Sequence, residues 1–173
     1  MIIDIKEKQY HFLKNVLRSK LNDEITLFDN ITGEWNSKII AIDRDKIALE
    51  VLEKNKNLVY ETDIWLAFAP IKQHRLNIVI QKATELGVGK LIPCITSYTN
   101  NSVLNYKNLK QNIIEAAEQS QRLTLPQLES QITLYSFLEK FPKDRALIFC
   151  NEKFKSKQTM FYSILKIKDK YKK

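Results

Sequence analysis

The spacing of apolar residues changes character near residue 60, and that change divides the chain. In residues 10–20, YHFLKNVLRSK, Phe12, Leu13, Val16 and Leu17 recur at helical intervals among polar residues, which predicts a short amphipathic helix. Short β-branched-rich runs follow at 24–28, 35–42, 46–52 and 63–69. The segments DNITGE (29–34) and DRD (43–45) separate the first three and carry the Asp, Asn and Gly residues that favour turns. Strands this short and closely spaced predict a small antiparallel barrel.

After Pro70 the period lengthens. Leu76, Ile78, Val79, Ile80, Ala83 and Leu86 mark one face of a helix that Gly87 ends as a left-handed terminus. Residues 90–96 then read as a buried strand interrupted by Pro93. A second helix is predicted over 106–121, with Leu109, Ile113, Ala116 and Ala117 on its apolar face. A short helix over 134–141 and a buried strand over 145–150 follow. Helices alternating with apolar strands imply an α/β domain around a mainly parallel sheet, which the run at 63–69 is expected to join. The boundary is therefore drawn between residues 62 and 63. Met160, Phe161, Ile164, Leu165 and Ile167 predict a last amphipathic helix, after which the α/β layer is unfinished.

Composition narrows the function classes. The chain is 44% hydrophobic and 28% charged, as expected of a soluble folded protein, and no stretch reaches the roughly 20 apolar residues of a membrane span. Residues 1–10 include Asp4 and Glu7 and lack a secretory apolar core, so a cytoplasmic location is expected. Cys94 and Cys150 each sit in an apolar run and read as two buried reduced thiols; no metal site is expected. The net charge of +8 points toward nucleic acid, but eight lysines against Asp169 in residues 153–173 account for seven of those charges. There are three glycines in 173 residues, and they are too scattered to form a P-loop or a GxGxxG cradle.

Three ordered segments carry a specific likeness. FLKNVLRSKLNDEITLFD (12–29), IVIQKATELGV (78–88) and IIEAAEQSQRLTLPQL (113–128) resemble the RsmE family of bacterial 16S ribosomal RNA (uracil-N3) methyltransferases. The resemblance implies a fold of class α+β and α/β. An N-terminal PUA-like β-barrel (1–62) would be followed by an incomplete SPOUT-type α/β methyltransferase domain (63–173), ending before the trefoil knot. It also implies S-adenosylmethionine as cofactor, 16S ribosomal RNA or the small ribosomal subunit as partner, and a homodimer. The family's IGPEGG-like and LGxRILRTETA-like segments, which hold the cofactor, do not occur here, so these 173 residues alone are expected to be inactive. The alternative is a non-catalytic RNA-binding remnant. The chain also departs from the family at Gln121, where the family has Gly, and at TNNS (99–102), where it has a charged ERS.

The resemblance assigns candidate residues. Arg18, Lys72, Arg75 and Arg122 are candidate RNA contacts, because guanidinium and ammonium donors match phosphate oxygens; His74 reads instead as a helix-start residue. Glu85 is the candidate catalytic carboxylate, since N3 of neutral uridine carries a proton that a base must remove. At i and i+4, Gln81 and Glu85 share a helix face and could simply bond each other. Glu118 and Arg122 could likewise form an intrahelical ion pair. Asn151 and Glu152 follow a predicted strand end, where α/β sheets place ligands, and are the candidate cofactor-binding residues.

Overall fold

The computed structural model describes residues 1–59, 63–99 and 103–150, together with Ile164. They fall into two compact units, residues 1–131 and 132–173. The first unit contains one four-stranded β layer and three strands of a second layer, each with its own apolar cluster.

The first sheet is formed by β1 (Ile2–Lys6), β2 (Glu24–Asp29), β3 (Gly33–Ile42) and β4 (Lys46–Asn57), in the order β1-β4-β3-β2. All its pairings are antiparallel. β1 was not apparent from the apolar pattern. It is an edge strand whose alternate residues are half-buried, and its pairing partner β4 lies more than 40 residues along the chain. Among the described residues the sheet is open, with β1 and β2 at its edges, so the expected barrel does not close. Its core is Ile39, Ile47 and Leu49, and it is covered by Tyr10 and Leu13 from the helical segment between β1 and β2. Each such buried aliphatic side chain contributes about 2 kcal/mol.

That helical segment begins earlier and ends earlier than its sequence period suggests. α1 (Glu7–His11) continues as a π turn over Phe12–Val16, closed by a bond from the Leu17 N–H to the Phe12 carbonyl at 3.0 Å. Arg18 then takes φ of +53°, which ends the helix before residue 20.

The β2–β3 turn is held by Asp29. Its Oδ1 accepts from the N–H groups of Ile31 (3.0 Å), Thr32 and Gly33 (3.1 Å), and its Oδ2 accepts from the Thr32 hydroxyl at 2.8 Å. Gly33 has φ of +114°, and a Cβ there would lie 2.3 Å from the Lys56 carbonyl oxygen, so only glycine lets β3 start against the end of β4.

The second sheet is parallel. β5 (Trp65–Phe68) pairs with β6 (Lys90–Ile95), which pairs with β7 (Gln127–Leu128). α2 (Gln73–Glu85) connects β5 to β6, and α3 (Tyr106–Ser120) connects β6 to β7. Leu76, Ile80 and Ala83 of α2 meet Leu109 and Ile113 of α3 and Leu91 of β6 in one buried cluster. α3 starts where the Asn105 side chain accepts from the Asn108 N–H at 3.0 Å.

The second unit contains the short extended pair β8 (Ile132–Thr133) and α4 (Leu134–Glu139), capped by Thr133 Oγ1 accepting from the Ser136 N–H at 3.1 Å. Residues 145–150 were expected to form a buried strand. No strand forms there; Leu147 and Ile148 are half exposed, and Phe149 and Cys150 are exposed. An apolar run becomes a strand only with a ladder partner, and this one pairs with none among the described residues. Of the two expected buried thiols, Cys94 alone is buried. The expected helix over 160–167 lies outside the described residues apart from Ile164. Among the described residues no helix is long and apolar enough to cross a membrane.

The bonds to Asp29 lower its carboxyl from 3.8 to about 2, the Thr32 N–H being the largest cause. A carboxyl lowered by folding stabilises fully above its unfolded pKa, and that contribution disappears as pH falls through the folded value. Acid titration of thermal unfolding should therefore show wild-type stability falling between about pH 4 and pH 2, with a shallower fall in Asp29→Asn. Parallel curves for the two proteins would contradict this account.

Candidate functional site

Two of the three signature segments meet at the ends of α2 and α3, and each ends in the same way. Gly87, at φ +84°, donates to the Thr84 carbonyl at 3.1 Å, while the Val88 N–H reaches back to Ala83 at 3.0 Å. Gln121, at φ +55°, donates to Glu118 at 3.3 Å, while the Arg122 N–H reaches Ala117 at 2.9 Å. Both are left-handed helix terminations that satisfy otherwise orphaned carbonyls. The glutamine that stands where the family has glycine keeps the turn, at the steric expense of a Cβ in the left-handed region.

This turn redirects Arg122, the candidate RNA contact and candidate partner of Glu118. The residue is 7% exposed. Its guanidinium donates to the Thr84 carbonyl at 2.7 Å, the Val88 carbonyl at 2.9 Å and the Thr124 hydroxyl at 2.9 Å. It is thus turned into the fold rather than offered to RNA. Because Gln121 leaves the helix, Arg122 does not occupy the i+4 position that pairing with Glu118 would need.

Glu85 has a similarly local environment. Its Oε1 accepts from the Gln81 amide at 2.8 Å and its Oε2 from Lys82 at 2.7 Å. The Lys82 bond, with help from Gln81, holds the carboxyl below the usual range. A carboxylate with both oxygens engaged and its ionised form favoured is a weak proton acceptor, so this geometry does not support a general base at Glu85.

The remaining candidates are placed as follows. Arg18, Lys72 and Arg75 are exposed, the last two at the start of α2 beside exposed His74. Arg18 has no hydrogen-bond or ion-pair partner among the described residues, so its guanidinium is open to solvent. Asn151 and Glu152, and residues 100–102 of TNNS, lie outside the described residues. Among the described residues no cluster of His, Cys, Asp or Glu could hold a metal ion.

Sequence reasoning missed an open cleft of about 580 Å³ between the start of α1 and the polar faces of α2 and α3. Lys8 of α1 bonds Glu115 of α3 across it. This ion pair holds Glu115 below the usual carboxyl range, whereas partial desolvation, followed by the charge of Glu115, raises Glu118. Phe12, read as a core-facing helix residue, is 48% exposed and lies on the cleft wall. The polar run Glu115, Glu118, Gln119 was visible in the sequence; its apposition to α1, more than 100 residues away, was not.

Replacing Arg122 with Met should destabilise the protein by about 3 kcal/mol in urea unfolding, because buried carbonyls lose a charged donor. Gln121→Gly should stabilise it by about 1 kcal/mol, by relieving the left-handed Cβ. Arg122→Met with unchanged stability and selectively weakened RNA binding would restore the RNA-contact role.

The family model described as RNA methyltransferase domain matches residues 59–172, and that described as RNA methyltransferase PUA domain matches residues 5–52. The chain is 37% identical over 142 residues to ribosomal RNA small subunit methyltransferase E of Rickettsia conorii, covering 82% of this chain and 57% of that protein. It is 31% identical over 136 residues to the protein of the same name from Buchnera aphidicola, covering 75% of this chain and 55% of that protein. The chain thus spans less than two-thirds of the length of these relatives. Among solved structures, it is similar to ribosomal RNA small subunit methyltransferase E from Neisseria gonorrhoeae bound to S-adenosyl methionine. That match has a TM-score of 0.72 and 26% identity, covering 83% of this chain and 61% of that one. A Legionella pneumophila structure described as a methyltransferase with bound SAM shares the fold, with a TM-score of 0.78 at 24% identity, covering 90% of this chain and 67% of that one. The chain belongs to the RNA methyltransferase domain family, as an RsmE-type member in which a PUA-type domain precedes the methyltransferase domain.

Proposed function

We propose that this chain is part of an S-adenosylmethionine-dependent enzyme that methylates N3 of one uridine in 16S ribosomal RNA, acting in the cytoplasm as a homodimer. The observation that carries the proposal is the tandem match of PUA-type and methyltransferase family models, alongside relatives named for the small-subunit ribosomal RNA. In this reading residues 1–62 form an RNA-binding unit and residues 63–173 the methyltransferase unit. Exposed Arg18, Lys72 and Arg75 are assigned to RNA phosphates, and Asn151 and Glu152 to the cofactor.

Among the described residues there is no glycine-rich cradle for an adenosyl cofactor. Gly33 starts β3 and Gly87 ends α2, so neither belongs to a glycine-rich cradle. The contribution of these residues is recognition and positioning of RNA. The same observation favours a second reading, in which the 173 residues bind RNA without turnover.

The two readings separate in one set of measurements on the purified chain. Both expect filter binding to 16S RNA fragments that weakens steeply with salt. Alanine at Arg18, Lys72 or Arg75 should each reduce the salt slope by about 1. Calorimetric binding of S-adenosylmethionine and N3-methyluridine formation in small subunits, read by mass spectrometry, support the first reading. RNA binding with neither supports the second. Absence of RNA binding at low salt would sink both.

A further inference from the structure

The cleft between α1 and α3 has a chemical bias that the RNA-binding reading does not by itself require. Three of its amides have their donor halves tied down. Gln81 Nε2 donates to Glu85 at 2.8 Å, Gln111 Nε2 to Glu115 at 3.1 Å, and Asn112 Nδ2 to the Asn77 carbonyl at 2.9 Å. Each amide is therefore held in one orientation, and its carbonyl oxygen is the atom left without a partner among the described residues. The Glu118 carboxylate, on the same wall, also accepts no hydrogen bond there, while one donor of the Lys8 ammonium is taken by Glu115. Donors also line the cleft at Lys6, Gln9 and Gln119, but the carbonyl oxygens of Gln81, Gln111 and Asn112 with the Glu118 carboxylate give it an excess of open acceptors. Beside them Phe12 offers a half-exposed aromatic face.

A planar ligand with adjacent donors on one edge fits this arrangement. Of the RNA bases, guanine presents the N1–H and the N2 amino group side by side, a donor pair that a carboxylate can accept in bidentate fashion, while its face stacks on an aromatic ring. Uracil presents one donor between two carbonyls, which would confront the acceptors of the cleft with acceptors. The volume of about 580 Å³ is within the range of pockets that enclose a ligand of nucleotide size. Lys6, exposed on the cleft lining, supplies a cation for the attached phosphate.

We propose that this cleft seats an unstacked guanine of the bound RNA, with Phe12 as stacking platform and Glu118 reading the N1–H and N2 amino edge, so that it holds a neighbour of the modified uridine rather than the uridine itself. The proposal rests on the reading of the chain as RNA-binding. It assigns a specificity function to two residues, Phe12 and Glu118, that were not among the sequence candidates.

Equilibrium dialysis of the full chain against guanosine, inosine and uridine 5′-monophosphates tests it. Guanosine monophosphate should bind at least about 10-fold more tightly than uridine monophosphate, with inosine monophosphate weakened by loss of the N2 amino group. Phe12→Ala and Glu118→Gln should each weaken guanosine monophosphate about 10-fold without moving the unfolding temperature, since both residues are exposed. Equal binding of the guanosine and uridine nucleotides, wild-type affinity in either variant, or no guanosine monophosphate binding at about 10 mM would overturn the proposal. If salt-dependent 16S RNA binding persists in any of those cases, the cleft assignment fails alone. Guanine-selective binding without 16S RNA affinity would uphold the cleft and remove the ribosomal substrate.

Discussion

The carbonyl groups at the end of α2 point out of a finished helix with no intrahelical donor to meet them, and they carry the negative end of its dipole. Here the N–H groups of Gly87 and Val88 meet the Thr84 and Ala83 carbonyls, and one buried guanidinium adds a charged donor at the same end. Arg122 bonds the carbonyls of Thr84 and Val88 while its own backbone N–H closes the end of α3 on Ala117. One residue therefore ties the exits of both helices together. It also fixes where Leu76 and Ile80 meet Leu109 and Ile113, and so where β6 is clamped between β5 and β7.

This constraint changes how the RsmE-like segments are understood. Much of IVIQKATELGV and EAAEQSQR is concerned with building two left-handed helix ends and locking them to each other. Gln81 and Glu85 engage each other along α2, and Arg122 is internal. What these helices leave over is the polar surface of α3, and it is this surface that faces α1 across the cleft. The Lys8–Glu115 pair spanning the cleft is more than half exposed on both sides, so its strength lies in the range of surface pairs, about 1 kcal/mol or less. The walls are positioned by the packed cores behind them rather than by that contact.

The first sheet is organised by a different economy of backbone groups. Asp29 gathers three N–H groups of the β2–β3 turn onto one side chain, and Gly33 permits β3 to approach the Lys56 carbonyl. The helical segment after β1 places Tyr10 and Leu13 over the core of the sheet. This packing also brings Phe12, one residue before Leu13, to the cleft.

Local periodicity was enough to locate β2, β3, β6, α2, α3 and α4 to within a few residues, and to anticipate that the run after residue 62 joins a parallel sheet, because those elements satisfy their period over one continuous stretch. The same residues carried the family likeness and the left-handed role of Gly87. What depended on distant partners was not legible. β1 exists because β4 pairs with it, and residues 145–150 form no strand because none pairs with them among the described residues. Arg122 reads as a surface cation until Gln121 turns the chain inward, and Phe12 reads as core until the π turn presents it to solvent. The chain by itself determined its elements and kinship, through side-chain spacing and short motifs. Only the tertiary structure decided which polar groups are satisfied internally and which remain open in a cleft, since hydrogen bonding of a buried group depends on neighbours that may lie a hundred residues away.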